Sequence, residues 1–215
     1  LPPGKAARGS DEDSFFTRIQ RFMAAIKSGE RKTQILQMLA EMLEHPKGER
    51  ITTAALAARL QVSEAALYRH FASKAQMFEG LIEFIETSIF GLINQIADSE
   101  ASGIAQSRKV ISLLLSFAER NKGLTRVLAG DALVIEDERL QERMNQFVDR
   151  IEASLRQGLR NALSLGELPP ADDIHARASL ILHFILGRWQ RYAKTGWKKS
   201  PTEFLDSQMV LMLRA

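Results

Sequence analysis

The stretch VSEAALYRHFASK, residues 62–74, decides the fold. Ser63 is a capping residue, and the helix it predicts over 64–70 carries Leu67 on one side, with Phe71 four residues on. The opposite side shows Glu64, Ala65, Tyr68 and Arg69, and His70 closes the segment. Ser73 then caps a new helix, with Gln76 at the capping-box position three residues on. Lys74 occupies the first turn of that helix, against the positive end of its dipole, at a cost of roughly 0.3–1 kcal/mol. A bound anion reverses the sign of that interaction, so the placement predicts a phosphate at this helix end.

Immediately upstream, Thr52 and Thr53 are cap residues for a helix over 54–60, and Gln61 and Val62 make a tight turn. Leu56, Ala57, Leu60, Val62, Leu67 and Phe71 are the inward positions of a helix-turn-helix, with Ala57 small where the two helices cross. Gln61 stands where a glycine is favoured; a left-handed backbone there costs on the order of 1 kcal/mol. In such a unit the second helix enters the DNA major groove. Ala65 is small enough to approach a thymine methyl, and Arg69 reaches a phosphate or a guanine edge. Tyr68 and His70 donate to phosphate oxygens, and Thr52 and Thr53 open a second anion site at a helix start.

The pattern on either side is helix after helix. Ile35, Leu36, Leu39, Met42 and Leu43 form an apolar stripe that His45, Pro46, Lys47 and Gly48 terminate. The helix behind Ser73 runs to about residue 97, with Phe78, Leu81, Ile82, Ile85, Ile89, Leu92, Ile93 and Ile96 as its apolar positions. Further helices follow over 104–120, 124–133, 137–165 and from Asp172 or Asp173 to 194. Pro201 opens a last helix carrying Phe204, Leu205, Met209, Leu211, Met212 and Leu213. The expected fold class is all-α, with nine helices behind a tail. Residues 1–29 read as a flexible Pro/Gly/Ser-rich and charged tail with a short helical pattern over 15–27, residues 30–76 as the helix-turn-helix domain, and residues 77–215 as a helical dimerisation and partner-binding domain.

Bulk properties agree. The 215 residues include no cysteine, which excludes disulfides and thiolate chemistry and fits a reducing cytoplasm. The formal charge of +3 permits nucleic-acid binding without arguing for it. No apolar run reaches a membrane span, and the first residues lack the apolar segment of a secretory leader. His45, His70, His175 and His183 have no metal-ligand spacing, and no phosphate loop, nucleophile elbow or triad pattern occurs. Neither a metal, a cofactor nor an enzyme activity is expected.

Residues 51–83, ITTAALAARLQVSEAALYRHFASKAQMFEGLIE, resemble the DNA-binding domain of the TetR family, and YRHFASK is a specific signature of it. LIEFIE (81–86), ERN (119–121) with GLTRVL (123–128), ERLQERMNQ (138–146) and RIEASLRQGLR (150–160) resemble the family's nucleoid occlusion branch, from about Gly29 to the C-terminus. The resemblance implies a homodimer that binds palindromic chromosomal sites on the nucleoid and, while bound, engages the tubulin-like division protein FtsZ. By position, Thr53, Ser63, Ala65, Tyr68, His70 and Lys74 would face DNA. Phe84, Leu113, Arg120 and Asn121 would form the division-protein surface, with Leu92 and Ser116 departing from the arginine and glycine of a relative. Phe84 sits on the helix that starts at Lys74, which makes that helix a physical carrier for coupling between DNA and partner.

Two readings stay open. Arg188, Arg191, Lys194, Lys198 and Lys199, interleaved with Trp189, Tyr192 and Trp197, read as the end of an interface helix and its connector, or as a surface for membrane or DNA. Phe184, Leu186 and Gly187 favour close packing there, with two helices from each protomer in a four-helix interface. The competing function is a ligand-responsive repressor with a small-molecule pocket in the C-terminal helices.

Overall fold

The computed structural model describes residues 31–45, 51–133 and 137–214. Among them the chain forms nine α-helices and no strand: α1 Arg31–Leu43, α2 Thr53–Arg59, α3 Glu64–Tyr68, α4 Lys74–Ser99, α5 Gly103–Arg120, α6 Lys122–Leu128, α7 Glu138–Ser164, α8 Ile174–Lys194 and α9 Leu205–Leu213. The expected tail, and Pro46, Lys47 and Gly48, lie outside the described residues.

Three serine and threonine caps set the head of the molecule. Thr52 accepts from the Ala55 amide at 3.1 Å, Ser63 from Ala66 at 3.2 Å and Ser73 from Gln76 at 3.2 Å. Ile35, Leu39 and Leu43 of α1 are buried, and α1 packs on α2 and α4. Leu56, Ala57, Leu67 and Phe71 point inward as their spacing predicts. Between α2 and α3, Gln61 takes a left-handed backbone at φ 55°. That turn brings the Val62 amide to the Ala57 carbonyl at 3.0 Å. Gln61→Gly therefore relieves strain and is expected to raise stability by about 0.5–1 kcal/mol, a rise of roughly 1–4 °C in the thermal midpoint. A scanning-calorimetry midpoint equal to or below the parent's contradicts it.

The body is built on α5, α7 and α8, which pack on one another around Phe117, Phe147, Ile151, Ile181, Ile185 and Trp189, all buried. α4 is shared by head and body: it packs on α1 and also on α5 and α7. Arg143 of α7 pairs with Glu86 of α4 at 2.6 Å and also donates to the Glu79 carbonyl at 3.4 Å. Two turns on, Arg150 stacks 3.8 Å over the Phe90 ring, which itself meets Phe147 edge-on. α7 is capped at its start by Asp137, whose carboxyl is held down at about 2 by its hydrogen bonds to Arg139.

Several boundaries differ from the sequence reading. α3 ends at Tyr68, two residues early, because the His70 and Phe71 amides both turn back to Leu67. α6 starts at Lys122 and stops at Leu128, and a turn through Gly130 carries the chain to Leu133. Pro201 opens a turn rather than a helix: Phe204 is left-handed at φ 60° and α9 begins at Leu205. Gln76 reaches back to the Ala72 amide at 2.8 Å, one residue beyond the capping-box position. The basic-aromatic stretch over 188–199 is not an aromatic surface. Trp189 is fully buried with Nε1 donating to the Leu114 carbonyl at 3.1 Å, and Tyr192 is buried with its hydroxyl on the Glu119 carbonyl at 3.1 Å.

Candidate nucleic-acid interface

α2 and α3 are tied together across the turn by side chains. The Thr53 hydroxyl donates to Glu64 Oε2 at 2.6 Å, and the Tyr68 hydroxyl reaches Thr53 Oγ1 at 3.5 Å. This bridge joins the first turn of α2 to the first and last residues of α3. It fixes the direction of the Tyr68 ring, which is 46 % exposed. Glu64 was read as one of the DNA-facing residues; its carboxylate repels phosphate, so a brace for Thr53 and Tyr68 is the role its geometry fits.

Ser63, Glu64, Ala65, Tyr68 and Arg69 are exposed together on the outward side of α3, and Thr52 is exposed at the start of α2. Thr53, His70 and Lys74 are half-buried along the same edge. Thr52 and Ser63 accept amide hydrogens as caps, and their hydroxyls still donate. The Lys74 ammonium lies 5.6 Å from the Phe78 ring centroid, held along the first turns of α4. α4 has 26 residues and no acidic residue in its first turn, so its N-terminal partial charge is unopposed by side chains of its own turn.

Sequence reading overlooked Arg31 and Lys32. They form the first turn of α1, where no acidic residue stands. Lys32 lies 5.9 Å from the Phe71 ring centroid, next to the α3–α4 junction.

The second group of expected residues sits where α4 and α5 run side by side. Gln106 near the start of α5 donates to the Ala97 and Glu100 carbonyls at the end of α4, at 3.3 and 2.6 Å, so the two helices are antiparallel. Phe84 lies about 20 Å back from Ala97, and Arg120 about 20 Å on from Gln106, so both fall at the same level of the pair. Phe84 is half-buried and Arg120 exposed. Asn121 is the joint between α5 and α6, with Nδ2 on the Phe117 carbonyl at 2.8 Å. Leu113 is only 2 % exposed, so its side chain belongs to the core and not to an exposed surface. Leu92 and Ser116 are half-buried.

Among the described residues no helix is long and apolar enough to cross a membrane, and no group of three or more His, Asp or Glu is placed to hold a metal.

Residues 47–81 match the family described as bacterial regulatory proteins, tetR family, and residues 102–215 match a tetracyclin repressor-like C-terminal domain of SlmA-like type. The nucleoid occlusion factor SlmA of Vibrio cholerae is 50 % identical over 192 residues, covering 88 % of this chain and 97 % of the relative. That of Marinomonas sp. is 48 % identical over 186 residues, covering 86 % of this chain and 94 % of the relative. Among solved structures, the fatty acid degradation regulator FadR of Bacillus halodurans superposes with a TM-score of 0.72 at 13 % identity, over 87 % of this chain and 97 % of that one. At that identity the likeness shows the fold alone. Relatives at about half identity across almost their whole length show more than the fold: this chain belongs to the SlmA family of nucleoid occlusion factors, built on the TetR-type all-helical fold.

Proposed function

We propose that this chain is a dimeric DNA-binding protein of the nucleoid that, on palindromic chromosomal sites, opposes assembly of the FtsZ division ring. The observation that carries the reading is the exposed Ala65–Tyr68–Arg69 side of α3 beside the Lys74 end of α4. Residues 30–76 act as the DNA-binding head and residues 77–215 as the dimerisation and partner-binding body. Ala65 and Arg69 read base edges; Thr52, Thr53, Ser63, Tyr68, His70 and Lys74 hold phosphates, with Arg31 and Lys32 added to them.

A second copy is supported by the outward side of α8. Leu180 is 60 % exposed, Phe184 is half-buried, and Gly187 has open space where a Cβ would stand. A helix from a partner protomer can approach closely there. Two heads in one dimer would meet successive major grooves about 34–36 Å apart. The FtsZ-facing surface is the α4–α5 pair at Phe84, Arg120 and Asn121, and α4 links it to the Lys74 end. The fully buried Trp189 stands between α5 and α8, a packed contact that favours this reading over a ligand-responsive repressor.

The test is sedimentation of FtsZ polymers in GTP, with the protein added alone or with a palindromic duplex that it has selected from a random-sequence pool. Polymer mass falls when protein and duplex are both present. Unchanged polymer mass under both conditions contradicts the FtsZ part of the proposal.

A further inference from the structure

We infer that Trp197 is a positioning residue for DNA binding, fixing the tilt of the head so that a dimer accepts one half-site spacing. The inference rests on the dimeric DNA-binding reading above. Trp197 lies in the connector between α8 and α9. The end of α8 is closed by two bonds from the amides of Gly196 to Ala193 and of Trp197 to Tyr192, at 3.2 and 3.0 Å. Such a closure needs one left-handed residue, and Gly196 supplies it at φ 61°. Trp197 is left-handed as well, at φ 70°, a conformation that a bulky side chain adopts only when its surroundings hold it there.

What that backbone achieves is the placement of the indole. The ring packs edge-on against Tyr192 with centroids 5.0 Å apart, and Nε1 donates to the Glu44 carbonyl at 2.8 Å. Glu44 is the residue just past α1, and its carbonyl is one of those a helix end leaves without an internal partner. The neighbouring His45 carbonyl accepts from Arg126 of α6 at 3.2 Å. The C-terminus of α1 is thus closed by two side chains of the body.

The strap is anchored at its other side. Ser200 and Thr202 both donate to the Glu119 carboxylate, Thr202 at 2.9 Å, and the Tyr192 hydroxyl donates to the Glu119 carbonyl. α5, the connector and the end of α1 therefore form one braced joint. α1 carries the head through its packing on α2 and α4. A helix of 13 residues is about 20 Å long, so a tilt of about 10° about this joint moves its far end by roughly 3.5 Å, about one base pair along a duplex. Holding Glu44 and His45 in place selects a spacing.

The experiment uses the full chain, its Trp197→Phe and Arg126→Gln variants and the double variant. Phenylalanine keeps a ring against Tyr192 and deletes the donor. Each protein is titrated onto the pool-selected palindrome, onto the same palindrome with half-sites one base pair closer or further apart, and onto a single half-site. The wild type is expected to prefer its selected spacing by about 10- to 100-fold. In the double variant that preference falls to within about threefold, while single-half-site affinity stays at the wild-type value. The single variants fall between, and carry the same test should the pair lower the thermal midpoint. Wild-type spacing preference in both single variants and the pair overturns the inference, as does a wild type indifferent to spacing. A wild type that binds no palindrome overturns the DNA reading itself.

Discussion

Lys74→Glu abolishes tight binding to a palindromic duplex. Each copy of the substitution replaces a cation by an anion at the N-terminal end of a 26-residue helix, where on the proposed reading the helix charge and the lysine act on the same phosphate. A charge-assisted contact contributes about 1.5–3 kcal/mol, and a dimer makes it twice, so affinity falls by on the order of 100-fold or more. The slope of log affinity against log salt becomes shallower by about 2, one for each lost phosphate contact. Folding changes by less than binding does, because an acidic side chain at a helix start favours the helix while the Lys74 contact with the Phe78 ring is lost. Fluorescence anisotropy over a range of salt, with a thermal melt alongside, separates the two effects. Unchanged affinity and slope in a folded Lys74→Glu protein contradict the assignment.

Gly123→Ala is the second large effect, and it acts on the joint between head and body. A Cβ at Gly123 would stand 1.9 Å from the Ala40 carbonyl oxygen and 2.8 Å from its carbon, backbone against backbone. α1 and α6 pack on each other at this point, and neither can yield by rotating a side chain. The added methyl forces the helices apart at a cost of about 3 kcal/mol or more, a fall of roughly 6–12 °C in thermal midpoint. Gly91 on the exposed side of α4 is the control: open space surrounds its Cβ position. Gly91→Ala should raise stability by about 0.5–1 kcal/mol through helix propensity. Equal midpoints for the two variants in circular-dichroism melts contradict the packing account.

The contrast between those glycines marks what a sequence can reveal. The helix-turn-helix was legible because its signals are local: Thr52, Ser63 and Ser73 cap helices within three residues of themselves, and Leu67 and Phe71 declare their side by spacing. At Gln61, where a glycine is favoured, residue type supplied only the cost of a left-handed backbone should the turn need one; the turn takes it at φ 55°. The braces were not legible. Thr53 and Glu64 are eleven residues apart, and their bond exists only once α2 and α3 have crossed. The partners of Trp189 and Tyr192, the Leu114 and Glu119 carbonyls, lie more than 70 residues upstream, so spacing alone left the stretch open between the end of an interface helix and an exposed surface. Trp197 finds its acceptor 153 residues away, on Glu44. Leu113 was placed on a surface by resemblance, while its own helix turns it into the core.

The same distinction orders the candidate site. Ala65, Tyr68 and Arg69 follow from the period of a helix, and Lys74 from the dipole of the next one. The level match between Phe84 and Arg120 follows only from the antiparallel course of α4 and α5, which the Gln106 bonds to Ala97 and Glu100 establish. The lever at the end of α1 needs three separate segments, around 44, 126 and 197, to meet.

The central claim is that two copies of this chain seat their α3 helices together in one palindromic duplex. Analytical ultracentrifugation of a labelled palindrome and of its single half-site, each titrated with the protein, tests it most directly. Two chains on the palindrome, at least about 1,000-fold tighter than on the half-site, is the expected result. One chain per duplex, bound equally well to palindrome and half-site, would contradict it.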